Sequence, residues 1–216
     1  MISTTTDAVR FVLPMFDADD PQAPAFFLRA GNVNERQALE AELAGDYRAG
    51  RVYDFELAAC FAEGITELMA GDPGRDALLS LIEAETNLGA GERLPAAERQ
   101  MLAQAREILS EHWPEYRALM ARANRRAQFK PLVAFRRFCI GWEHVPRVDN
   151  AKEPAMHAIG VDRLVTLDAV AQLTPLWMQL AGNRAYDLLY PEDQEKNSAA
   201  PSKSDDGQGT SNLGAE

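Results

Sequence analysis

Residues 54–69, DFELAACFAEGITELM, are the stretch from which the fold class is most directly predicted. Asp54 is a favourable N-cap residue, and Gly71 follows the last apolar residue as a stop signal. Between them, apolar side chains recur at the spacing of one helical face: Phe55, Ala58, Phe61, Ala62, Ile65, Leu68 and Met69. The stretch therefore predicts an amphipathic helix, and the same period in the flanking segments predicts a mainly α fold.

Capping residues, glycines and prolines divide the rest of the chain into short helices. On the N-terminal side, Asn34 is the expected cap of a helix that reaches about Leu43. On the C-terminal side, helices are predicted for Asp76 to Leu88, Pro95 to His112, Pro114 to Gln128, Pro131 to Ile140, Thr166 to Leu173 and Pro175 to Leu189. The helix from Pro95 has an expected inward stripe of Met101, Leu102, Ala105, Ile108 and Leu109. The sequence thus predicts a compact multi-helix domain over residues 32–190.

Two segments do not follow the helical period. Pro146, Pro154 and Gly160 interrupt residues 142–162, which are expected to form a loop. Near the N-terminus, the apolar runs 11–13 and 26–28 enclose the turn-rich polar stretch 17–24, and this pattern predicts a β-hairpin within residues 1–31. A lone hairpin is only marginally stable. It must pack on the helices of its own chain, which is the favoured arrangement, or offer a strand edge to another chain.

The segment after Tyr190 has a different composition. Residues 191–216 contain mainly Ser, Asp, Gly, Gln, Asn and other small or polar residues, with almost no large apolar side chain. Such a segment buries too little surface to offset the entropy lost on ordering. A disordered acidic tail is therefore predicted for 191–216.

The charge balance limits the classes of partner. The chain has 33 acidic and 22 basic residues and a net charge of -11, so a nucleic acid would be repelled by the overall field. The N-terminus lacks the pattern of a signal peptide, and no apolar run reaches the ~18 residues of a membrane span. Cys60 and Cys139 lie in apolar patterns and are expected to be reduced core residues. These features indicate a cytoplasmic protein that does not bind a membrane.

No catalytic, metal or cofactor site is predicted. His112, His144 and His157 are too scattered to place two ligands on one helical face. The turn at residues 71–74 lacks the glycines and the Lys-Ser/Thr pair of a phosphate loop. Cys139 lies near His144 in sequence, but it stands in an apolar run without an activating group, and core packing is the better interpretation.

A basic stretch from Arg117 to Arg137 stands out because it contains no acidic residue. Its arginines either pair with acidic helices of the same chain or receive an acidic helix or tail from a partner. Contact with RNA is the weakest alternative, because no aromatic stacking residues are interleaved with the arginines of 117–126. The candidate partner-binding residues are Arg122, Arg125, Arg126, Lys130, Arg136, Arg137 and Trp142.

Residues 135–143, FRRFCIGWE, begin a series that resembles the tail assembly chaperones of tailed, siphophage-type bacteriophages. In that family an aromatic helix precedes a Gly-Trp pair with an acidic neighbour, here Gly141-Trp142-Glu143. A variable loop, a short helix with Leu and acidic residues (165–173) and a final helix from Pro175 follow. The polar tail starts at 192–198, EDQEKNS. The resemblance covers most of the chain, although the loop and the hairpin are longer than in the family pattern.

The resemblance implies a non-catalytic chaperone that coats the tape measure protein while subunits of the major tail tube protein are recruited. Such a chaperone acts in the cytoplasm of the bacterial host, is absent from the finished virion and can self-associate. Family members often have a longer, frameshifted form, whose junction would lie near Pro191. The alternative is a structural virion component, either a minor tail protein or a head-tail connector. A small enzyme with an unrecognised site is a third option.

Grooves between helices suit such a role because they can hold amphipathic partner helices. Four methionines would supply adaptable surface if they faced a groove: Met69, Met101, Met120 and Met178.

Overall fold

The computed structural model describes residues 8–89, 91–149 and 153–190. Within these ranges the chain forms seven helices and one three-stranded antiparallel sheet, which confirms the predicted mainly α fold with an N-terminal hairpin. In chain order the elements are β1 (Val9–Val12), β2 (Ala25–Leu28), α1 (Val33–Gly45), α2 (Asp54–Leu68), α3 (Arg75–Thr86), α4 (Ala96–His112), α5 (Pro114–Phe138), β3 (Cys139–Glu143), α6 (Leu167–Ala171) and α7 (Pro175–Asp187). The predicted tail, 191–216, lies outside the described residues.

The N-terminal hairpin packs on the helices of its own chain. β1 and β2 pair antiparallel, with Phe11 opposite Phe26. Phe26 is fully buried and lies edge-on to Phe135 of α5, with ring centres 5.7 Å apart. The hairpin is therefore part of the main core, as in the favoured arrangement, and β1 forms one edge of the sheet.

The third strand, β3, lies where the sequence predicts the end of a helix and the start of a loop, and both predicted boundaries are wrong. A helix was predicted through Ile140 and a loop from Trp142, but α5 ends at Phe138 and β3 follows at once. β3 pairs antiparallel with β2, and Trp142 lies opposite Phe26. Local periodicity does not reveal this strand, because its pairing partner, β2, lies far away in sequence, near the N-terminus.

One 25-residue helix, α5, replaces the two helices predicted before and after Pro131. Proline at this position removes the backbone N–H that would donate to the carbonyl of Ala127. Pro131 is nevertheless buried, and its carbonyl lies against Gly182 of α7. Close packing between α5 and α7 thus offsets the missing hydrogen bond, and the helix continues.

Apart from the start predicted at Pro131, the helix starts agree with the predicted signals to within two residues. Thr166 caps α6 as predicted, because its hydroxyl accepts a hydrogen bond from the first turn. The cap of α1 is Asn32 instead of Asn34: its side chain accepts from the Glu35 N–H, and the Glu35 carboxylate accepts from the Asn32 N–H, each at 2.9 Å. Asp54 lies in the first turn of α2, one residue after the cap position.

Two hydrophobic clusters form the core, and α5 contributes to both. The first cluster joins the sheet, α1, α7 and the C-terminal half of α5 around Leu28, Phe135 and Phe138. The second joins α2, α3, α4 and the N-terminal half of α5 around Phe61 and Leu102. At 1.5 Å per residue, α5 spans about 37 Å, which is long enough to extend through both clusters.

Cys60 and Cys139 are free thiols and both are buried, as predicted. Cys60 belongs to the second cluster and Cys139 to the first. Among the described helices, none has the length and apolar character needed to cross a membrane.

Candidate partner-binding site

Two arginines of the predicted basic stretch connect α5 to α1. The Arg126 guanidinium donates to the Glu40 carboxylate at 2.6 Å, and Arg137 Nε donates to the Glu42 carboxylate at 2.8 Å. Arg126 also donates to the Ala49 carbonyl at 3.3 Å. Because the four charged side chains of these pairs are largely covered, the pairs are less screened than ion pairs on an open surface. They fix α1 against the long helix.

Two further arginines of the stretch have intramolecular acidic neighbours at longer distances. A guanidinium nitrogen of Arg122 lies 3.9 Å from the Glu56 carboxylate in α2. Arg136 Nε donates to the Val165 carbonyl at 2.9 Å, and another nitrogen of its guanidinium lies 3.8 Å from the Asp162 carboxylate. Arg136 therefore holds the segment before α6 against the end of α5.

Arg125 and Lys130 are the two remaining candidate residues of the basic stretch. Arg125 is the exposed member of the six candidates, and its Nε donates to the Arg48 carbonyl at 3.2 Å. Lys130 Nζ lies 4.5 Å from the centre of the Tyr186 ring in α7, a cation–π contact. Partner binding by the basic stretch stays a prediction, and Arg125 is the exposed cation among its six candidate residues.

Trp142 lies between the sheet and the loop that follows β3. Its ring stacks on Phe135 at 6.0 Å and meets Phe26 edge-on at 6.2 Å. Its Nε1–H donates to the Ala155 carbonyl at 2.8 Å, and the His157 ring is perpendicular to it at 4.8 Å. The indole is half-buried, and these contacts give it a role in holding the loop on the sheet.

The groups with perturbed pKa values in this region favour neutral forms. Burial raises the pKa of the Cys139 thiol to about 12, and the thiol donates to the Gly141 carbonyl at 3.3 Å. Burial also lowers the pKa of His157, whose Nε2 is covered and has no hydrogen-bond partner among the residues that the structure describes. His144, the nearest histidine in sequence to Cys139, is exposed. In the described ranges, no three His, Cys, Asp or Glu side chains are placed to hold a metal ion.

An open apolar groove lies between α2, α3 and α4. Its volume is about 340 Å³, and Gln104 is the one polar residue among those that line it. Leu68, Met101 and Ile108 are each about half exposed within it. The residues that line the groove are Ile65, Leu68, Met69, Leu78, Met101, Gln104, Ala105, Ile108 and Leu109. A mainly apolar groove of this volume is a candidate place for another molecule to bind.

The predicted inward stripe of α4 is only partly correct. Leu102, Ala105 and Leu109 are buried as predicted, but Met101 and Ile108 are exposed. On a helix with 3.6 residues per turn, these five positions cover an arc of about 120°. The core covers one side of this arc, and the other side is left open in the groove.

The four methionines considered as adaptable surface separate into two pairs. Met69 and Met101 line the groove, whereas Met120 packs against the second cluster and Met178 against the first. The sequence alone does not distinguish methionines of the core from methionines of the groove, because both kinds of position follow the same helical spacing.

The helices on either side of the groove carry exposed carboxylates. Glu63 and Glu67 are exposed on α2, and Glu107 and Glu111 are exposed on α4. This distribution favours a partner whose apolar face is flanked by basic residues, because complementary charge speeds association and disfavours acidic competitors.

Comparison with protein families, curated proteins and solved structures gives no match for this chain. The groove is the candidate functional site on the geometry of the described residues alone.

Proposed function

We propose that this chain is a non-catalytic tail assembly chaperone of a tailed bacteriophage, which binds the tape measure protein and helps to recruit subunits of the tail tube. The observation that carries the proposal is the open groove with half-exposed Leu68, Met101 and Ile108. The order of motifs along the chain, through Gly141-Trp142 and the final helix, supports the same class of protein. The proposed place of action is the cytoplasm of the bacterial host.

The chemistry of the groove suits apolar side chains from one face of an amphipathic helix. A helix brings side chains at i, i+3, i+4 and i+7 to one face, and such a stripe can lie along an apolar channel between two helices. Met69 and Met101 have flexible thioether side chains that adapt to different partner side chains. A chaperone for a long, variable helical protein needs this tolerance. The exposed carboxylates and net charge of -11 keep the complexes apart in solution.

The proposal is tested by co-expression with the tape measure protein encoded beside this chain. We expect the tape measure protein to be soluble with the wild-type chain and insoluble with the Ile108→Asp variant. Ile108 is 55% exposed, so an aspartate there disturbs the groove with little effect on the core. The matched control is Leu176→Asp on α7, which is 52% exposed and lies outside the groove.

Equal insolubility of the tape measure protein with and without the wild-type chain contradicts the proposal. Mass spectrometry of purified virions tests the alternative of a structural component. A chaperone is absent from the particles, whereas a minor tail or connector protein is retained in them.

A further inference from the structure

A second surface, away from the groove, combines arginines with exposed aromatic rings. The Arg51 guanidinium carbon lies 5.2 Å from the Tyr53 ring centre and 6.0 Å from that of Tyr190. Arg36 lies 5.5 Å from the Tyr190 ring centre, and Tyr53 stacks on Phe55 at 5.4 Å. We call this the arginine–aromatic surface, and its residues are Val33, Arg36, Arg51, Tyr53, Phe55 and Tyr190.

The surface holds two arginines, Arg36 and Arg51, that are not engaged by a carboxylate of the described chain. Within the described ranges, neither Arg36 nor Arg51 forms an ion pair, and Arg36 Nε is covered without a hydrogen-bond partner. The nearby Glu40 carboxylate accepts from Arg126 and from the Tyr186 and Tyr190 hydroxyls. The charge of Glu40 is thus already balanced by α5 and the tyrosines, which leaves Arg36 and Arg51 available to an outside carboxylate.

A concavity of about 300 Å³ opens on this surface and is lined by Val33, Arg36, Gln37, Tyr190 and the Arg126-bound Glu40. Exposed apolar side chains belong to the same surface: Val33 lines the concavity, and Phe55 is 66% exposed. Tyrosine and arginine are the residue types most enriched at the energetic centres of protein interfaces. A ligand for this surface has to supply both negative charge and apolar contact area.

We propose that the arginine–aromatic surface binds an acidic segment of a partner protein that also carries aromatic or aliphatic side chains. The carboxylates of the segment accept charge-assisted hydrogen bonds from Arg36 and Arg51. Its apolar residues cover Val33 and Phe55. This site differs from the groove in position and in the charge of the partner that it selects, so it goes beyond the proposed function.

The composition of the chain's own C-terminal segment argues against its being the occupant. Glu192, Asp193 and Glu195 follow Tyr190 closely, but Leu213 is the only large apolar residue in 191–216. That segment can supply negative charge and cannot supply the apolar cover. A partner segment with both properties fits the surface better.

The test measures binding of a fluorescein-labelled peptide, in which glutamates alternate with leucine and phenylalanine, to the full chain by fluorescence anisotropy. We expect the double variant Arg36→Gln, Arg51→Gln to weaken binding by about ten-fold or more. The control Arg99→Gln, Arg184→Gln likewise removes two arginines, both of them exposed, but neither contacts an aromatic ring in the described part of the chain. We expect the control to bind like the wild type.

Phe55→Ser provides an independent measure, because the exposed ring can be removed without disturbing the core. We expect it to weaken binding several-fold while the thermal midpoint is unchanged. Wild-type affinity in both the double arginine variant and Phe55→Ser overturns the proposal, as does an equal loss in the Arg99, Arg184 control. Neutralising the tail with Glu192→Gln, Asp193→Asn and Glu195→Gln is expected to leave the affinity unchanged. Binding about ten-fold tighter in that variant shows instead that the tail occupies the surface.

Discussion

Gly182 of α7 lies so close to Pro131 of α5 that a Cβ atom at position 182 would be 2.1 Å from the Pro131 carbonyl oxygen. The next nearest atoms are also backbone atoms of Pro131, so no side-chain rotation relieves the overlap. Glycine at 182 is what allows α7 to cover the part of α5 where proline interrupts the hydrogen bonding. The two residues together explain why one helix runs through a position at which a break was predicted.

Gly182→Ala is expected to destabilise the protein by about 3 kcal/mol, because the two helices must separate to admit the methyl group. The change is measured as the free energy of unfolding in urea. Gly45→Ala is the control, since its Cβ meets no atom within 4 Å at the end of α1. Alanine there is expected to be neutral or to stabilise by up to about 1 kcal/mol. Similar losses in the two variants contradict the explanation.

Trp142→Ala is expected to destabilise the fold by roughly 3 kcal/mol, since it removes the ring that packs on Phe26 and Phe135. Trp142→Phe keeps an aromatic ring and loses the hydrogen bond to the Ala155 carbonyl, so a smaller loss of about 1 kcal/mol is expected. Thermal unfolding of the three proteins measures the order. An unchanged midpoint in the alanine variant indicates that the indole is free to contact a partner.

Arg126 and Arg122 provide a comparison within the basic stretch. The side chain of Arg126 is 11% exposed and binds Glu40 directly, whereas that of Arg122 is 37% exposed and lies 3.9 Å from Glu56. Arg126→Met is expected to lower the free energy of unfolding by about 2 kcal/mol. The Glu40 carboxylate stays largely covered and loses its cation. Arg122→Met is expected to cost less than about 0.5 kcal/mol. Urea denaturation checks the difference, and equal costs contradict it.

His157 is expected to make the protein less stable as the pH falls below about 6.5. Burial lowers its pKa, so the unfolded chain takes up a proton at a pH where the folded chain does not. The stabilisation is complete above the unfolded pKa and is lost as the pH falls toward the folded pKa. In His157→Gln this part of the pH dependence, which begins as the pH falls below about 6.5, should disappear. Superimposable wild-type and variant pH slopes contradict the assignment.

Another group, the Glu35 carboxylate, loses its stabilising effect at a lower pH. The hydrogen bond from Arg29 lowers the Glu35 pKa from 4.5, so its contribution is lost below that value. Measurements above pH 5 therefore isolate the histidine.

The helices and the hairpin could be predicted because their signals are local. Thr166 caps its helix with a side chain that reaches the first turn, and residues 54–69 repeat apolar side chains at one period. The strand Cys139–Glu143 could not be predicted in this way. Its formation depends on pairing with Ala25–Leu28, and no local pattern carries that information. The helix break predicted at Pro131 was wrong for the same reason. The contact that compensates for the missing hydrogen bond comes from Gly182, which lies on another helix.

The candidate surfaces were harder to predict than the fold. Met101 and Ile108 occupy positions that are equally suitable for core or groove, and only the neighbouring helices decide between them. The arginine–aromatic surface joins residues 33–36, 51–55 and 190, which are distant in sequence. The basic stretch, by contrast, is conspicuous in sequence because its charges are contiguous, while its partners Glu40 and Glu42 lie on another helix.

The two hydrophobic clusters are nested along the chain. The second uses residues from Leu57 to Met120, whereas the first uses residues from Phe11 to Tyr190 and therefore needs both ends. During synthesis on the ribosome, the inner cluster has all its side chains well before α7 has been translated. We expect the hairpin and α1 to remain unpacked, with Phe26 uncovered, until α7 has been synthesised and can complete the outer cluster.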